Sequence, residues 1–164
     1  MNNQENIAIM NAGTMPNSKQ NTNIRVLSLN VKEFNTTNKE KLYHLITECQ
    51  KREIDMALLN KMNTKWTSVI KSSMKYKLSS LDKNVEVLFA DSDEHKMTKN
   101  NWLQGGLMNA IWSTLLQYFD RESVYNDKLG RWVAFKLTNK LKTILFIAVY
   151  RIPNSIGGVY LALQ

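Results

Sequence analysis

The stretch ALLNKMNTKW, residues 57–66, runs an apolar segment into a polar tip of Asn60, Lys61, Met62, Asn63 and Thr64. Polar groups at the end of a buried strand are where α/β proteins commonly place chemistry. Phosphoester chemistry at such a tip calls for a carboxylate that anchors a divalent ion, which neutralises the transition state and activates water. The tip offers Lys61 instead. An ammonium has three donors and no acceptor, so it repels a metal ion and attracts a phosphate. Lys61 is therefore open to three readings: a metal position that has lost its ligand, a tethered cation that grips phosphate, or a surface lysine.

A second group of residues points the same way. Lys61, Lys65, Lys71, Lys75, Lys77 and Lys83 are opposed only by Asp82, with Trp66 and Tyr76 interleaved. Lysines spaced among aromatics can follow a phosphate backbone; the plainer alternative is a solvated helix face with Trp66 in the core. The two histidines, His44 and His95, fall within a helical pattern and a polar loop. The single Cys49 cannot form an internal disulfide. With no signal peptide in view, it suits a reducing intracellular compartment, nuclear or cytoplasmic.

These residues need elements to hold them. Ile24–Asn30 reads as a buried strand ending at Asn30, itself a strand-end polar group or a turn-capping residue. Thr37 and Glu40 have capping-box spacing. The helix after them puts Leu42, Leu45, Ile46 and Cys49 on one face, with Lys39, Lys41, Lys51 and Arg52 opposite. Ile54–Asn60 is a second strand, giving a strand–helix–strand unit in one sheet. Thr64–Lys75 has a helical face of Trp66, Val69, Ile70 and Met74. Residues 85–90 form a third strand, and Gly105–Gly106 open a fourth. STLLQYF, 113–119, suits a short helix or turn. A tight turn at 128–130 leads into another strand, and Thr143–Tyr150 is the most apolar strand of all.

The chain has 164 residues, 43% hydrophobic and 22% charged, a composition for one domain with a moderate core. The net charge of +8 favours an anionic partner. No apolar run approaches the roughly 20 residues of a spanning helix, so no membrane partner is expected. Residues 1–22 are polar and aperiodic and are expected to be a disordered leader. The ordered domain is expected over 23–164: two packed mixed β-sheets flanked by helices, an α/β (α+β) arrangement.

Five segments now line up in order: VLSLN at 26–30, DMALLNKMN at 55–63, GG at 105–106, LGRW at 129–132 and IAVYRIPN at 147–154. Together they resemble the endonuclease/exonuclease/phosphatase superfamily, and most closely the endonuclease domains of non-LTR retrotransposons. The resemblance covers about residues 24–164. It implies a four-layer α-β-β-α sandwich and Mg²⁺- or Mn²⁺-dependent phosphodiester hydrolysis that nicks DNA.

By the same resemblance, Asn30 matches the asparagine that helps hold the metal site, and Lys61 sits where the family has its metal-binding glutamate. Tyr150 matches the tyrosine that contacts the scissile phosphate. Arg151 and Asn154 lie in the phosphate-side turn that follows, and Lys65 is a candidate DNA contact. The Tyr-to-Pro spacing is one residue longer than the family's usual form. The family's later Gly-Asp-x-Asn and Ser-Asp-His motifs have no match after Tyr150, so the C-terminal part of the domain is expected to be missing and catalysis impaired. Two alternatives stand beside this reading: a non-catalytic nucleic-acid-binding module, and a phosphatase-like member acting on small phosphoesters. Self-association through an uncovered sheet edge is a further expectation.

Overall fold

The structure, a computed structural model, describes residues 19, 23–31, 39–62, 64–80, 82–90, 106–127 and 130–150. Strand β1 (Val26–Asn30) leads to helix α1 (Lys39–Lys51), strand β2 (Met56–Asn60), helix α2 (Ser68–Leu78) and strand β3 (Val85–Ala90). Strand β4 (Leu107–Trp112), helix α3 (Ser113–Leu116) and strands β5 (Phe119–Asn126), β6 (Trp132–Thr138) and β7 (Thr143–Val149) follow. The first sheet has the order β1-β2-β4-β3 and the second β5-β6-β7. β1 and β2 are parallel, and β4 is antiparallel to both of its neighbours. The first sheet is thus mixed, as expected; the second is antiparallel among the described strands.

The outer face of the first sheet packs against α1 and α2. Leu42, Ile46 and Cys49 from α1 and Met74 and Leu78 from α2 join Ala57, Leu59, Val87, Met108 and Ala110 in one core. The period of α1 is the expected one. α2 differs: Val69 is 76% exposed, and Ile70, Met74 and Leu78 face the sheet instead. The helix begins at Ser68, capped by the Thr67 hydroxyl, so Trp66 lies before it and the face rotates. The capping box at Thr37 lies outside the described residues.

The inner face meets the second sheet. Met56 and Ile111 pack with Phe135 and Leu137, while Leu107 packs with Val133, Ala148 and Tyr150. β4 is buried along its whole length because helices cover one face and the second sheet the other. Each large apolar side chain so enclosed contributes about 1.5–3 kcal/mol.

β5 begins at Phe119, inside a segment expected as helix or turn. Its charged FDRE start hides the strand period, and its register with β6 slips between Asp120 and Tyr125. Ser123 holds that irregularity: its hydroxyl donates to the Asp120 carbonyl at 2.7 Å and accepts from Lys136 N–H at 2.8 Å. Of the expected leader, only Lys19 is described. Its ammonium pairs with the buried Asp55 carboxylate, which also accepts from Arg25 N–H at 2.8 Å.

Candidate functional site

Asn30 and Asn60 end the parallel strands β1 and β2 and are partners in register. Alternation from Val26 and Leu58, both packed toward the second sheet, puts the two amides on that same inner face. Asn30 is exposed; Asn60 is half-buried, and its Oδ1 is enclosed with no hydrogen-bond partner among the described residues.

Lys61 follows with φ 59°, in the left-handed region that a non-glycine residue enters only at a cost. The backbone is pinned on both sides. Val31 N–H donates to the Asn60 carbonyl at 2.8 Å, and Met62 N–H donates to the Gly106 carbonyl at 3.1 Å. Met62 is fully buried, and Gly106 has φ 82°, a value glycine adopts freely. The strand end therefore cannot relax without losing a buried anchor, and Lys61 is left half-buried at the tip.

Tyr150 comes to the same end. It is buried against Leu107, the register partner of Asn60, so one leucine links the tyrosine to the asparagine pair. Its N–H donates to the Arg131 carbonyl at 2.6 Å. Burial raises its phenol above the ordinary value, so it stays protonated at neutral pH and can donate a hydrogen bond but not act as a base. Arg131 itself serves the turn: its Nε lies 2.6 Å from Asp127 Oδ2, and Asp127 Oδ1 also accepts from Trp132 N–H at 3.2 Å. Asp127 fixes the turn that anchors Tyr150, a role its position in a loop did not announce.

Lys65 is exposed one short turn beyond, with its carbonyl accepting from Thr67 N–H at 3.0 Å. Behind it Trp66 is buried, its ring 4.7 Å from Phe89. Arg151 and Asn154 lie outside the described residues, as does His95. His44 is exposed on α1 beside Tyr43, on the helix layer rather than the inner face. The fold thus brings Asn30, Lys61 and Tyr150 to one end.

No protein-family model matches the sequence, and no curated protein matches it. Solved structures do. AP endonuclease LMAP from Leishmania major superposes with a TM-score of 0.58 at 14% identity, over 82% of this chain and 42% of that one. An endonuclease/exonuclease/phosphatase family protein from Leptotrichia buccalis C-1013-b gives 0.51 at 14% identity, over 80% and 55%. The fold is that of the endonuclease/exonuclease/phosphatase proteins. The endonuclease domain of TRAS1, a telomere-specific non-LTR retrotransposon, also matches, with a TM-score of 0.45 at 13% identity over 81% and 48%. The chain spans about half the length of these structures.

The resemblance to this fold family implies a divalent ion, and the described residues do not fit one. At the strand ends they supply the amide oxygens of Asn30 and Asn60 and the Lys61 ammonium, and no carboxylate. Nowhere among the described residues do three His, Cys, Asp or Glu side chains gather as a metal site. Mg²⁺ and Mn²⁺ favour carboxylate oxygens, so amides beside a cation are a poor set. Of the two amide oxygens, the enclosed Asn60 Oδ1 has no hydrogen-bond partner among the described residues.

Proposed function

We propose that this chain is a nucleic-acid domain of retrotransposon-endonuclease type whose binding to DNA persists while its phosphodiester cleavage is impaired. The observation that carries the reading is Lys61, held half-buried at the pinned end of β2 where the family resemblance implies a glutamate. Replacing a carboxylate with an ammonium turns attraction for a metal ion into repulsion. At about 4 Å and an effective dielectric near 20, each interaction is on the order of 4 kcal/mol. The same ammonium attracts a phosphate oxygen, and the exposed Asn30 amide can add a hydrogen bond. By the same resemblance Tyr150 would supply a hydroxyl, which its raised pKa keeps protonated. Affinity then comes from the protein's own cations and needs no metal.

The test is nicking of supercoiled plasmid by purified protein in Mg²⁺, Mn²⁺ or EDTA, beside Asn30→Ala and a binding assay across salt. Salt-sensitive binding that persists in EDTA, with little or no nicking, supports the reading. Metal-dependent nicking abolished by Asn30→Ala would show a working hydrolytic site and overturn the impairment. Absence of DNA binding would overturn the nucleic-acid reading altogether.

A further inference from the structure

The outer face of α2 has no catalytic or core role in what precedes, and its chemistry is unusual for a solvated helix. Val69, Ser72, Ser73 and Tyr76 stand at i, i+3, i+4 and i+7, in one line along the helix. Val69 is 76% and Tyr76 80% exposed, so two large side chains that could have been buried face solvent. The helix SVIKSSMKYKL has three lysines and no acidic residue. Lys75 flanks the line, 55% exposed and only loosely tied to Glu86 at 3.7 Å. In the chain, Lys65 lies between Lys61 at the strand end and the start of the helix, and it is exposed.

We propose that this face is a second DNA contact, on the helix layer and apart from the strand-end site, that binds the phosphate backbone of a duplex long enough to reach beyond that site. The inference rests on the nucleic-acid reading above. Serine and tyrosine hydroxyls and lysine ammonium groups are the donors that bind phosphate oxygens, and the apolar surfaces of Val69 and Tyr76 suit sugar edges. A membrane surface fits less well, because one valine and one tyrosine give too little apolar area to insert. An acidic protein surface would use the lysines but leave the row of hydroxyls without purpose. The 11 residues of α2 extend about 16 Å at 1.5 Å each, the length of about 5 base pairs.

The experiment is fluorescence anisotropy with end-labelled duplexes that differ in length by about 5 base pairs. It is run across a salt series on the whole chain, on Tyr76→Ala, on Lys65→Ala/Lys75→Ala, and on a control, Lys140→Ala/Lys142→Ala, in the β6–β7 turn. All four substituted lysines and Tyr76 are exposed, and circular dichroism with a thermal melt checks that each variant folds.

The expected result is that the longer duplex binds several-fold tighter to the unaltered chain and to the control, but not to the α2 variants. The salt slope of Lys65→Ala/Lys75→Ala should fall by about 0.9 for each phosphate that is no longer neutralised. DNA binding that is equally strong, equally salt-dependent and equally length-dependent in the α2 variants overturns the proposal and leaves the strand-end reading standing. No DNA binding by the unaltered chain removes both. Tight binding to phosphatidylserine vesicles that Tyr76→Ala weakens, with DNA affinity unchanged, assigns the face to lipid and overturns the proposal.

Discussion

Lys61 sits where two costs adjoin. Its backbone is left-handed at φ 59°, and it directly follows Asn60, whose enclosed amide oxygen has no hydrogen-bond partner among the described residues. Lys61→Glu leaves the backbone as it is and reverses the charge, which with Asn60 Oδ1 and Asn30 makes a three-oxygen set. Isothermal titration with Mn²⁺ should then show binding at least about tenfold tighter than in the unaltered chain, since one charge reversal is worth several kcal/mol even when screened. Equal affinities would mean that Lys61 does not face the ion's position.

Asn109 is the complementary case. It is fully buried in β4, and neither its Oδ1 nor its Nδ2 has a partner among the described residues. A buried amide without hydrogen bonds costs about 1–3 kcal/mol, and leucine is close in shape. Asn109→Leu should raise the unfolding free energy in urea by about 1–2 kcal/mol. A loss of stability would show that the amide is satisfied in solution, by water enclosed between the sheets.

Helix α1 ends in a Schellman arrangement. Ile54 N–H donates to the Cys49 carbonyl at 2.9 Å and Glu53 N–H to the Gln50 carbonyl at 3.0 Å. Glu53 fills the left-handed position with φ 49°, where glycine has no steric penalty. Its pairing with Arg25 is long at 3.5 Å and leaves the Glu53 side chain 59% exposed, so it contributes little. Glu53→Gly should therefore stabilise the protein by about 1 kcal/mol, read as a higher thermal midpoint. The motif also delivers Ile54 to the core and sets the chain on course for β2, so a cap at one end of the βα unit governs where Asn60 and Lys61 emerge at the other. α2 illustrates a different rule. Its Trp66–Val69–Ile70–Met74 pattern is helical in spacing, but Trp66 precedes the helix, so the apolar period misplaces Val69 by one side of the cylinder.

The first sheet carries a core on each face: one against the second sheet, which includes Tyr150, and one against the helices, which includes Cys49. Burial pushes the Cys49 thiol from 9.0 up to about 11, and it pushes the Tyr150 phenol in the same direction. For both groups the folded protein favours the protonated, neutral form. The Cys49 contribution is thus complete below 9.0 and is lost as pH rises through about 11. The thermal midpoint should fall across that alkaline window, and Cys49→Ala should flatten the fall even if its midpoint at neutral pH is lower. A slope identical in the variant would assign the alkaline loss to other groups.

Helix α1, strand β2 and the apolar strands β3, β4 and β7 were legible in the residues, because the 2.0 and 3.6 periods follow directly from which face is buried; β1 was legible as a strand but not as the sheet-edge strand it is, whose Ser28, Leu29 and Asn30 are exposed rather than buried. The family fold was legible too, through five short segments in order, none distinctive alone. β5 was hidden by its charged start and its irregular register, which depend on Ser123 meeting Lys136 from another strand. At the candidate site, the sequence by itself supplied the residue types: an asparagine, a lysine where the resemblance implies a glutamate, and a strand-end tyrosine. It could not show that Asn30 and Asn60 are register partners, that Leu107 links them to Tyr150, or that Asp127 organises the turn beneath that tyrosine. Those relations join residues far apart in the chain. Local periodicity carries no information about them, and the packing of one sheet on the other creates them.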